Sequence, residues 1–141
     1  MAKRKLAVTI RPPSALPDER MLLFSFKYFD ADHERFQMGN CPSGFFCGLI
    51  REIVRYESFT VEEFLDQNNR DHRHLIDFSS TTEPDGFTRV DPDTDEVWTE
   101  TAYQFGLNGD AGEQTDWRVH GFVADRVFYV VWFDSQHLLG G

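Results

Sequence analysis

Four stretches of the chain are predicted to be β-strands, three because their residues alternate with a period of two and the fourth, 127–133, because it is a short continuous apolar run. The stretches are residues 21–29, 97–107, 117–124 and 127–133. Asp125 and Arg126 separate the last two stretches, so these two strands are expected to form a hairpin. In the first stretch the alternation places four large side chains on one buried face. They are Leu22, Phe24, Phe26 and Tyr28.

Two further stretches have the spacing of amphipathic helices. In residues 43–57 the apolar side chains recur every three or four positions, and Ser43 is the expected N-terminal cap. We expect four side chains of this helix to pack against the strand 127–133. They are Phe46, Leu49, Ile50 and Ile53. A second helix is expected at "TVEEFLDQ", where Thr60 and Glu63 have the spacing of a capping box.

The order of these elements predicts the fold class. A strand is followed by two helices, by a short apolar run at "LIDF" and then by three strands close together in sequence. This order predicts an α+β fold in which two helices pack on a mainly antiparallel sheet with a C-terminal three-strand meander. Residues 1–20 are expected to form an N-terminal arm, with a short strand at "KLAVTI" and a proline-rich linker. Residues 21–141 are expected to form a single domain.

The composition requires one apolar core and excludes two classes of protein. A chain of 141 residues with 40% apolar residues and fourteen phenylalanines is expected to fold rather than remain disordered. No run approaches the roughly 18 apolar residues of a membrane span, and we expect a cytoplasmic protein.

Cys41 and Cys47 lack the spacing of a disulfide framework or a CxxC pair. We therefore expect free thiols, with Cys47 as a small core residue.

The negative charge of the chain is concentrated in one region. The formal net charge is −10, and residues 81–116 contain ten acidic residues against one basic residue, Arg89. The rest of the chain is nearly neutral. An acidic stretch of this kind opposes the binding of polyanions and is suited to a basic protein partner.

The strand 117–124 carries two basic residues in an otherwise apolar pattern. Alternation places Arg118, His120 and Phe122 on one face, with Arg118 and His120 about 7 Å apart along the strand. A guanidinium binds phosphoryl oxygens, and an imidazole can transfer a proton. His137 follows the last strand in a loop, where a side chain is free to serve a site. We expect Arg118 and His120 to point into a groove, with Phe122 in its wall.

Other interpretations of the basic residues stay open. Arg118 and His120 can instead bond carboxylates or backbone groups inside the fold, and His137 can be a surface residue. In "NNRDHRHLID", His72 and His74 share a face if the segment is extended, which is compatible with a metal ion when a third ligand joins from elsewhere. No other ligand spacing supports such a site, so the sequence predicts neither a metal ion nor a cofactor.

The order β-α-α-β-β-β, with "LNG", "WRVHGF", "VFYVVWFD" and a late histidine, resembles a known family. It is similar to the small bacterial toxins of the RelE/YoeB/ParE type, over about residues 43–57 and 104–139. For the nuclease branches the resemblance implies cleavage of mRNA, in which the 2′-hydroxyl attacks the adjacent phosphate. It implies that Arg118 stabilises the phosphate, that His120 fills a second basic position and that His137 is the C-terminal acid or base.

These observations support two hypotheses about function. The first is a toxin-like ribonuclease, or a related RNA-interacting protein, of a toxin–antitoxin, phage or defence context, acting on RNA or the ribosome without a metal ion. The second is a non-enzymatic acidic interaction module whose acidic stretch binds a basic partner protein, such as an antitoxin or a defence component. The strand motif favours the first hypothesis and the net charge favours the second. Neither hypothesis involves a membrane.

Overall fold

The computed structural model describes residues 20–87 and 102–140. In this part of the chain, helix α1 spans Ser43–Tyr56 and helix α2 spans Val61–Leu65. The strands are β1 (Leu23–Ser25), β2 (His74–Leu75), β3 (Ala102–Asn108), β4 (Gln114–Ala124) and β5 (Val127–Asp134). The predicted strand at residues 5–10 and the first part of the predicted strand 97–107 lie outside the described residues.

The five strands form one sheet in the order β1-β5-β4-β3-β2. Strands β3, β4 and β5 are an antiparallel meander, and β2 pairs antiparallel with β3. Strand β1 runs parallel to β5, with Phe24 opposite Phe128, so the sheet is mixed. The α+β class, the order of the elements and the C-terminal meander are confirmed.

Both helices lie over one face of the sheet, where they form the first apolar cluster. The side chains that they bury there are Phe45, Leu49, Tyr56 and Phe64. The predicted capping box is present at the start of α2: Thr60 Oγ1 accepts the N–H of Glu63, and Glu63 Oε1 accepts the N–H of Thr60. Neither α1 nor α2, the two helices of the described residues, is long and apolar enough to cross a membrane.

Helix α1 is rotated about its axis relative to the sequence-based prediction. Of the four residues predicted to be in the core, Leu49 alone is buried. Phe46 and Ile53 are partly buried at the rim of the cluster, and Ile50 is 59% exposed. The apolar arc of α1 is wider than the part of the sheet that it contacts. The far edge of that arc therefore faces solvent.

Three smaller predictions were also wrong. Cys47 is exposed instead of being a core residue, because it lies at the solvent edge of the same arc. Ser43 is the first residue of α1, and Pro42 occupies the cap position without a side-chain hydrogen bond. The chain turns soon after β1, so Phe26 is exposed on the helix side while Tyr28 is buried in a cluster on the opposite face.

Loops rather than helices cover the other face of the sheet. Segments near residues 28–36, 76–87 and 138–139 pack there and form a second apolar cluster with side chains of the sheet. Its buried members are Tyr28, Phe36, Phe78, Phe87, Ala102, Phe122, Val131, Trp132 and Leu139. The prediction that Phe122 lines an open groove is therefore wrong, since this side chain is 1% exposed beneath the loop layer.

A β-bulge decides which side chains of β5 reach the second cluster. His120 pairs with Trp132, whereas the next residue, Gly121, pairs with Val130. Val131 is thus the extra residue of the bulge. Val131 and Trp132 both lie in the second cluster, and the end of β5 is turned toward the face that carries His120.

We predict that Gly121→Ala lowers the free energy of unfolding by about 2–3 kcal/mol, because overpacking at a rigid site is destabilising. A Cβ at Gly121 would overlap the carbonyl oxygen of Tyr129 and would lie 2.7 Å from the ring of Phe128. Gly39→Ala is the matched control, because no atom lies within 4 Å of its Cβ position. We expect the control to stay within about 0.5 kcal/mol of wild type in urea unfolding. Equal unfolding midpoints for the two variants would contradict the close approach at the bulge.

Candidate functional site

Arg118 lies in the middle of the sheet and is bound to its own strand. It pairs with Gly106 on β3 and with Asp134 on β5. The side chain is 6% exposed, and its Nη1 donates to the carbonyl oxygens of Thr115 at 2.8 Å and Trp117 at 3.0 Å. Burial lowers the pKa of the guanidinium, but an arginine stays charged at neutral pH. Its buried Nε has no hydrogen-bond partner among the described residues.

His120 is fully buried beneath the loop layer, so the prediction that it faces a groove is wrong. Its Nε2 lies 3.2 Å from Oδ2 of Asp134, and its ring centroid is 6.0 Å from that of Phe36 and 6.4 Å from that of Trp132. Burial lowers the pKa of His120 from 6.5, although the hydrogen bond and the charge of Asp134 act in the opposite direction. We infer a neutral imidazole that donates from Nε2 to the carboxylate. The ring has no exposed surface at which a substrate could exchange a proton.

Asp134 links strand β4 to the C-terminal turn by hydrogen bonds, and it was not among the site residues predicted from the sequence. Its Oδ1 accepts the N–H of Leu138 at 2.8 Å, and its Oδ2 accepts the N–H of Leu139 at 2.9 Å. Burial alone would raise the pKa of the carboxyl, but the hydrogen bonds from His120, Leu138 and Leu139 outweigh it and hold the pKa below its usual value. The sequence feature that could have pointed to Asp134 is its position: it is an acidic residue at the end of an apolar strand, three positions before His137.

Two histidines approach Arg118 from separate loops. His137 is exposed in the C-terminal turn and has a left-handed backbone, with φ 56°. His72, also left-handed with φ 55°, lies over Gly106, where a Cβ would be 2.9 Å from the His72 ring. Burial lowers the pKa of His72, and the positive charges of Arg118, His74 and His137 lower it further. His72 therefore lies over Gly106, the residue that pairs with Arg118, and its pKa responds to the charges of Arg118 and His137, whereas His120 lies beneath the surface.

The pair His72 and His74 does not form one extended segment. His72 is a turn residue, while His74 begins β2 and donates from Nδ1 to the carbonyl oxygen of Leu75 at 2.9 Å. Within residues 20–87 and 102–140, no group of three or more histidine, cysteine or acidic side chains is arranged to hold a metal ion.

The described part of the acidic stretch uses several carboxylates in local contacts. Glu83 lies 3.3 Å from Nε2 of His33 and 3.7 Å from Nε of Arg35. Asp110 pairs with Arg51 of α1 at 3.3 Å. Residues 88–101, which contain five of the ten acidic residues of the stretch, lie outside the described residues.

A row of apolar side chains is exposed on the helix side of the sheet. Phe26 and Phe46 both contact Phe133, with ring centroids 6.4 and 5.8 Å away, and Ile50 and Val54 continue the row along α1. We call Phe26, Phe46, Ile50 and Val54 the α1 stripe. Phe26, Ile50 and Val54 are 48%, 59% and 63% exposed. Ile50 and Val54 stay exposed because they lie on the side of α1 that faces away from the sheet, next to the side that buries Phe45, Leu49 and Tyr56.

Comparison with known proteins identifies no relative of this chain. No family model matches it, and no curated protein and no solved structure is significantly similar to it. The resemblance to the RelE-type toxins therefore stays a prediction.

We predict that the protein loses stability when the pH falls below about 6.5, the unfolded-state pKa of histidine. The pKa of His120 is lowered by folding, so the unfolded chain binds a proton first and acidification favours unfolding. His120→Gln keeps an N–H donor for Asp134 but cannot be protonated. It should reduce the slope of unfolding free energy against pH between pH 5 and 7 by up to about 1.4 kcal/mol per pH unit.

The control for this experiment is His74→Gln, which removes an exposed histidine from the same protein. The measurement is urea unfolding at a series of pH values. An unchanged slope in His120→Gln would show that the buried histidine does not set the acid sensitivity.

Proposed function

We propose that this protein is a non-enzymatic interaction module that binds a basic partner protein through the α1 stripe. The observation that carries the proposal is the row of large apolar side chains in the α1 stripe, in which Phe26, Ile50 and Val54 are exposed and Phe46 between them is partly buried. Single exposed apolar residues are normal, but a connected row of them marks a surface for another molecule. Aromatic and aliphatic side chains at the centre of an interface supply most of its binding energy.

The way in which the basic residues are bound supports the same proposal. The Arg118 guanidinium donates to the carbonyl oxygens of its own strand, and His120 is closed off by the loop layer. Groups held in this manner stabilise the fold and are poorly placed to contact a substrate. Ile50 and Val54 of the α1 stripe, in contrast, are exposed and lie outside the core, whereas Phe46 packs at its rim. Polar residues at Ile50 and Val54 would leave folding nearly intact, so their apolar character needs another reason.

The charge of the chain indicates the chemistry of the partner. The acidic stretch 81–116, whose Asp110 pairs with Arg51 of α1, attracts a basic surface and speeds its encounter at low salt. Apolar contact with the α1 stripe would then keep the two proteins together. We therefore propose a partner whose docking surface has apolar side chains flanked by lysine or arginine.

The partner can be identified by crosslinking at the stripe. We predict that a benzoylphenylalanine in place of Ile50 captures a basic protein from cells that contain this protein, and that the same group in place of exposed Ala111 does not. The captured protein is then identified by mass spectrometry, purified and titrated by calorimetry. Val54→Asp should weaken its binding at least tenfold, about 1.4 kcal/mol, because a charge is desolvated at the interface.

The matched control is Leu75→Asp, which places the same charge at an apolar residue of similar exposure outside the stripe: Leu75 is 56% exposed and Val54 is 63% exposed. Both variants should keep the wild-type melting temperature within a few degrees. Equal affinity of the partner for wild type and Val54→Asp would refute the proposal, as would an adduct that forms equally well from position 111.

A toxin-like ribonuclease is the second candidate function. The observation in its favour is that His72 lies over Gly106, the residue that pairs with Arg118, and that the charges of Arg118 and His137 both lower the pKa of His72. In this arrangement Arg118 would stabilise the phosphate, and the exposed His137 would transfer the proton. His120 would support the site through Asp134 instead of exchanging protons with RNA.

On this second candidate, His137→Ala should lower the rate of RNA cleavage about 10²–10⁴-fold, the usual contribution of a general acid or base. The assay is cleavage of single-stranded RNA and of ribosome-bound mRNA, with melting temperature measured on the same samples. His74→Ala, another exposed histidine, is the control. Absence of cleavage by the wild-type protein, or equal rates for both variants, would remove the ribonuclease from consideration.

A further inference from the structure

We propose that the C-terminal turn, residues 136–140, is an acid-released cover: protonation of His120 detaches the turn from Asp134 while the strands of the sheet stay paired. The inference goes beyond the proposed function, because it concerns the loop face of the sheet and not the α1 stripe. Three observations support it: the bonds that hold the turn, the carboxylate that the turn shares with His120, and the buried ring nitrogen Nδ1 of His120.

Hydrogen bonds to Asp134 and Thr82 hold the turn in place. The N–H groups of Leu138 and Leu139 donate to Oδ1 and Oδ2 of Asp134, at 2.8 and 2.9 Å. The carbonyl oxygens of the same two leucines accept the hydroxyl and the N–H of Thr82. These bonds lie outside the strand pairs of the sheet, so they can break without separating any two strands. Local opening of such a segment needs less free energy than unfolding of the whole domain.

Asp134 is the group through which His120 acts on the turn. Its Oδ2 lies 3.2 Å from Nε2 of His120 and also accepts the N–H of Leu139, so one oxygen atom joins strand β4 to the turn. Both side chains are buried, and no other hydrogen bond of His120 is present among the described residues. A change in the charge or orientation of the imidazole is therefore transmitted directly to the carboxylate that holds the turn.

The second ring nitrogen of His120 has no acceptor for a proton while the turn is closed. Nδ1 is buried and has no hydrogen-bond partner in the described part of the chain, and the ring of Phe36 lies 6.0 Å from the imidazole, between centroids. Protonation would convert Nδ1 into a buried N–H without an acceptor and would place a positive charge beneath an apolar side chain. Both changes are costly. Detachment of the turn admits water to Asp134 and to the ring beside it, and water can accept the new N–H.

The groups that face His120 decide the pH at which the turn opens. Burial is the largest influence and lowers the pKa of His120 below 6.5 in the closed structure; Asp134 on β5 acts in the opposite direction, and the positive charges of His137 in the turn and Arg118 on β4 lower the pKa further. In the open form the ring is in contact with water, so its pKa returns toward 6.5. The open form therefore binds the proton more tightly, and a fall in pH through this range favours opening.

Opening would change the surface of the loop face. Leu139 is buried in the second cluster and Leu138 packs against it, so removal of the turn uncovers part of that cluster. The loop face would then expose apolar side chains under acidic conditions while β3, β4 and β5 remain paired.

The test is amide hydrogen exchange of the full chain, measured by NMR at about pH 7.5 and about pH 5.5. We expect the protection factors of the Leu138 and Leu139 amides, corrected for the intrinsic exchange rates, to fall about fivefold or more at the lower pH. A low concentration of urea should leave them unchanged, because local opening exposes little surface. The amide of Val119, in the middle of β4, exchanges by unfolding of the domain, so urea should lower its protection.

Three variants assign the proton. His120→Gln keeps an N–H donor for Asp134 and cannot be protonated, so it should abolish the pH response of the two leucine amides. His137→Gln removes the exposed histidine of the turn and should keep the response. His33→Gln is the control for the loop layer, where His33 stacks on Phe36 with centroids 4.5 Å apart, and it should keep the response as well.

A second measurement covers the case in which His120→Gln does not fold. In the wild-type chain, the Hε1 resonance of His120 should titrate with the same midpoint as the exchange of the Leu138 and Leu139 amides. Equal protection at the two pH values would overturn the acid-released cover. Exchange of the leucine amides that depends on urea as strongly as that of Val119 would show that acid unfolds the whole domain, and would also overturn it. The same holds if His137→Gln, and not His120→Gln, abolishes the response.

Discussion

The buried carboxylate of Asp134 is the interaction on which one whole face of the structure depends. It accepts hydrogen bonds from His120 and from the N–H groups of Leu138 and Leu139, so it fixes the C-terminal turn against the sheet. The C-terminal turn also binds the segment near Thr82. The N–H of Thr82 donates to the carbonyl oxygen of Leu139, and its hydroxyl donates to that of Leu138. A buried carboxylate is costly unless its hydrogen bonds are satisfied, and here the donors come from strand β4 and from the C-terminal turn. Loss of Asp134 would therefore release the cover of the second cluster rather than a single contact.

The sequence predicted the sheet and the helices well because their patterns are periodic. Alternation identified β4 and β5, and the four-residue capping box identified α2. The loop layer has no such pattern: Phe36 and Phe87 stand singly, and Phe78 and Leu139 lie in apolar runs too short to show a period, so the face of β4 that they cover looked like an open groove. The bulge at Gly121 was equally invisible, since it depends on which residues of β4 and β5 pair. The rotation of α1 was missed because an apolar arc shows that a helix has a buried side but not how much of the arc the sheet can cover.

The candidate site was predicted in part. The sequence placed Arg118 and His120 on one face of a strand, and they do share it. It could not show that loops close this face or that His120 would find a carboxylate on the neighbouring strand. His72 joins the corner near Arg118 because Gly106 leaves room for its ring, a contact between residues that are far apart in the sequence. The chemistry of a side chain can be read from the sequence, but its burial depends on which other segments of the chain cover it. Burial in turn decides whether an imidazole titrates or stays neutral.

The two faces of the sheet have different consequences for evolution and for experiment. On the loop face, buried polar groups are coupled to one another, and a substitution there changes folding and any activity together. On the helix face, Ile50 and Val54 contribute contact area without supporting the core, so substitutions can change binding while the fold remains. Large apolar side chains that are exposed favour self-association. In an acidic protein, repulsion between negatively charged copies opposes it. The acidic stretch attracts a basic partner, and one of its carboxylates, Asp110, already pairs with Arg51 of α1. On the proposed function, apolar contact at the stripe would supply the affinity and the acidic stretch would select the partner.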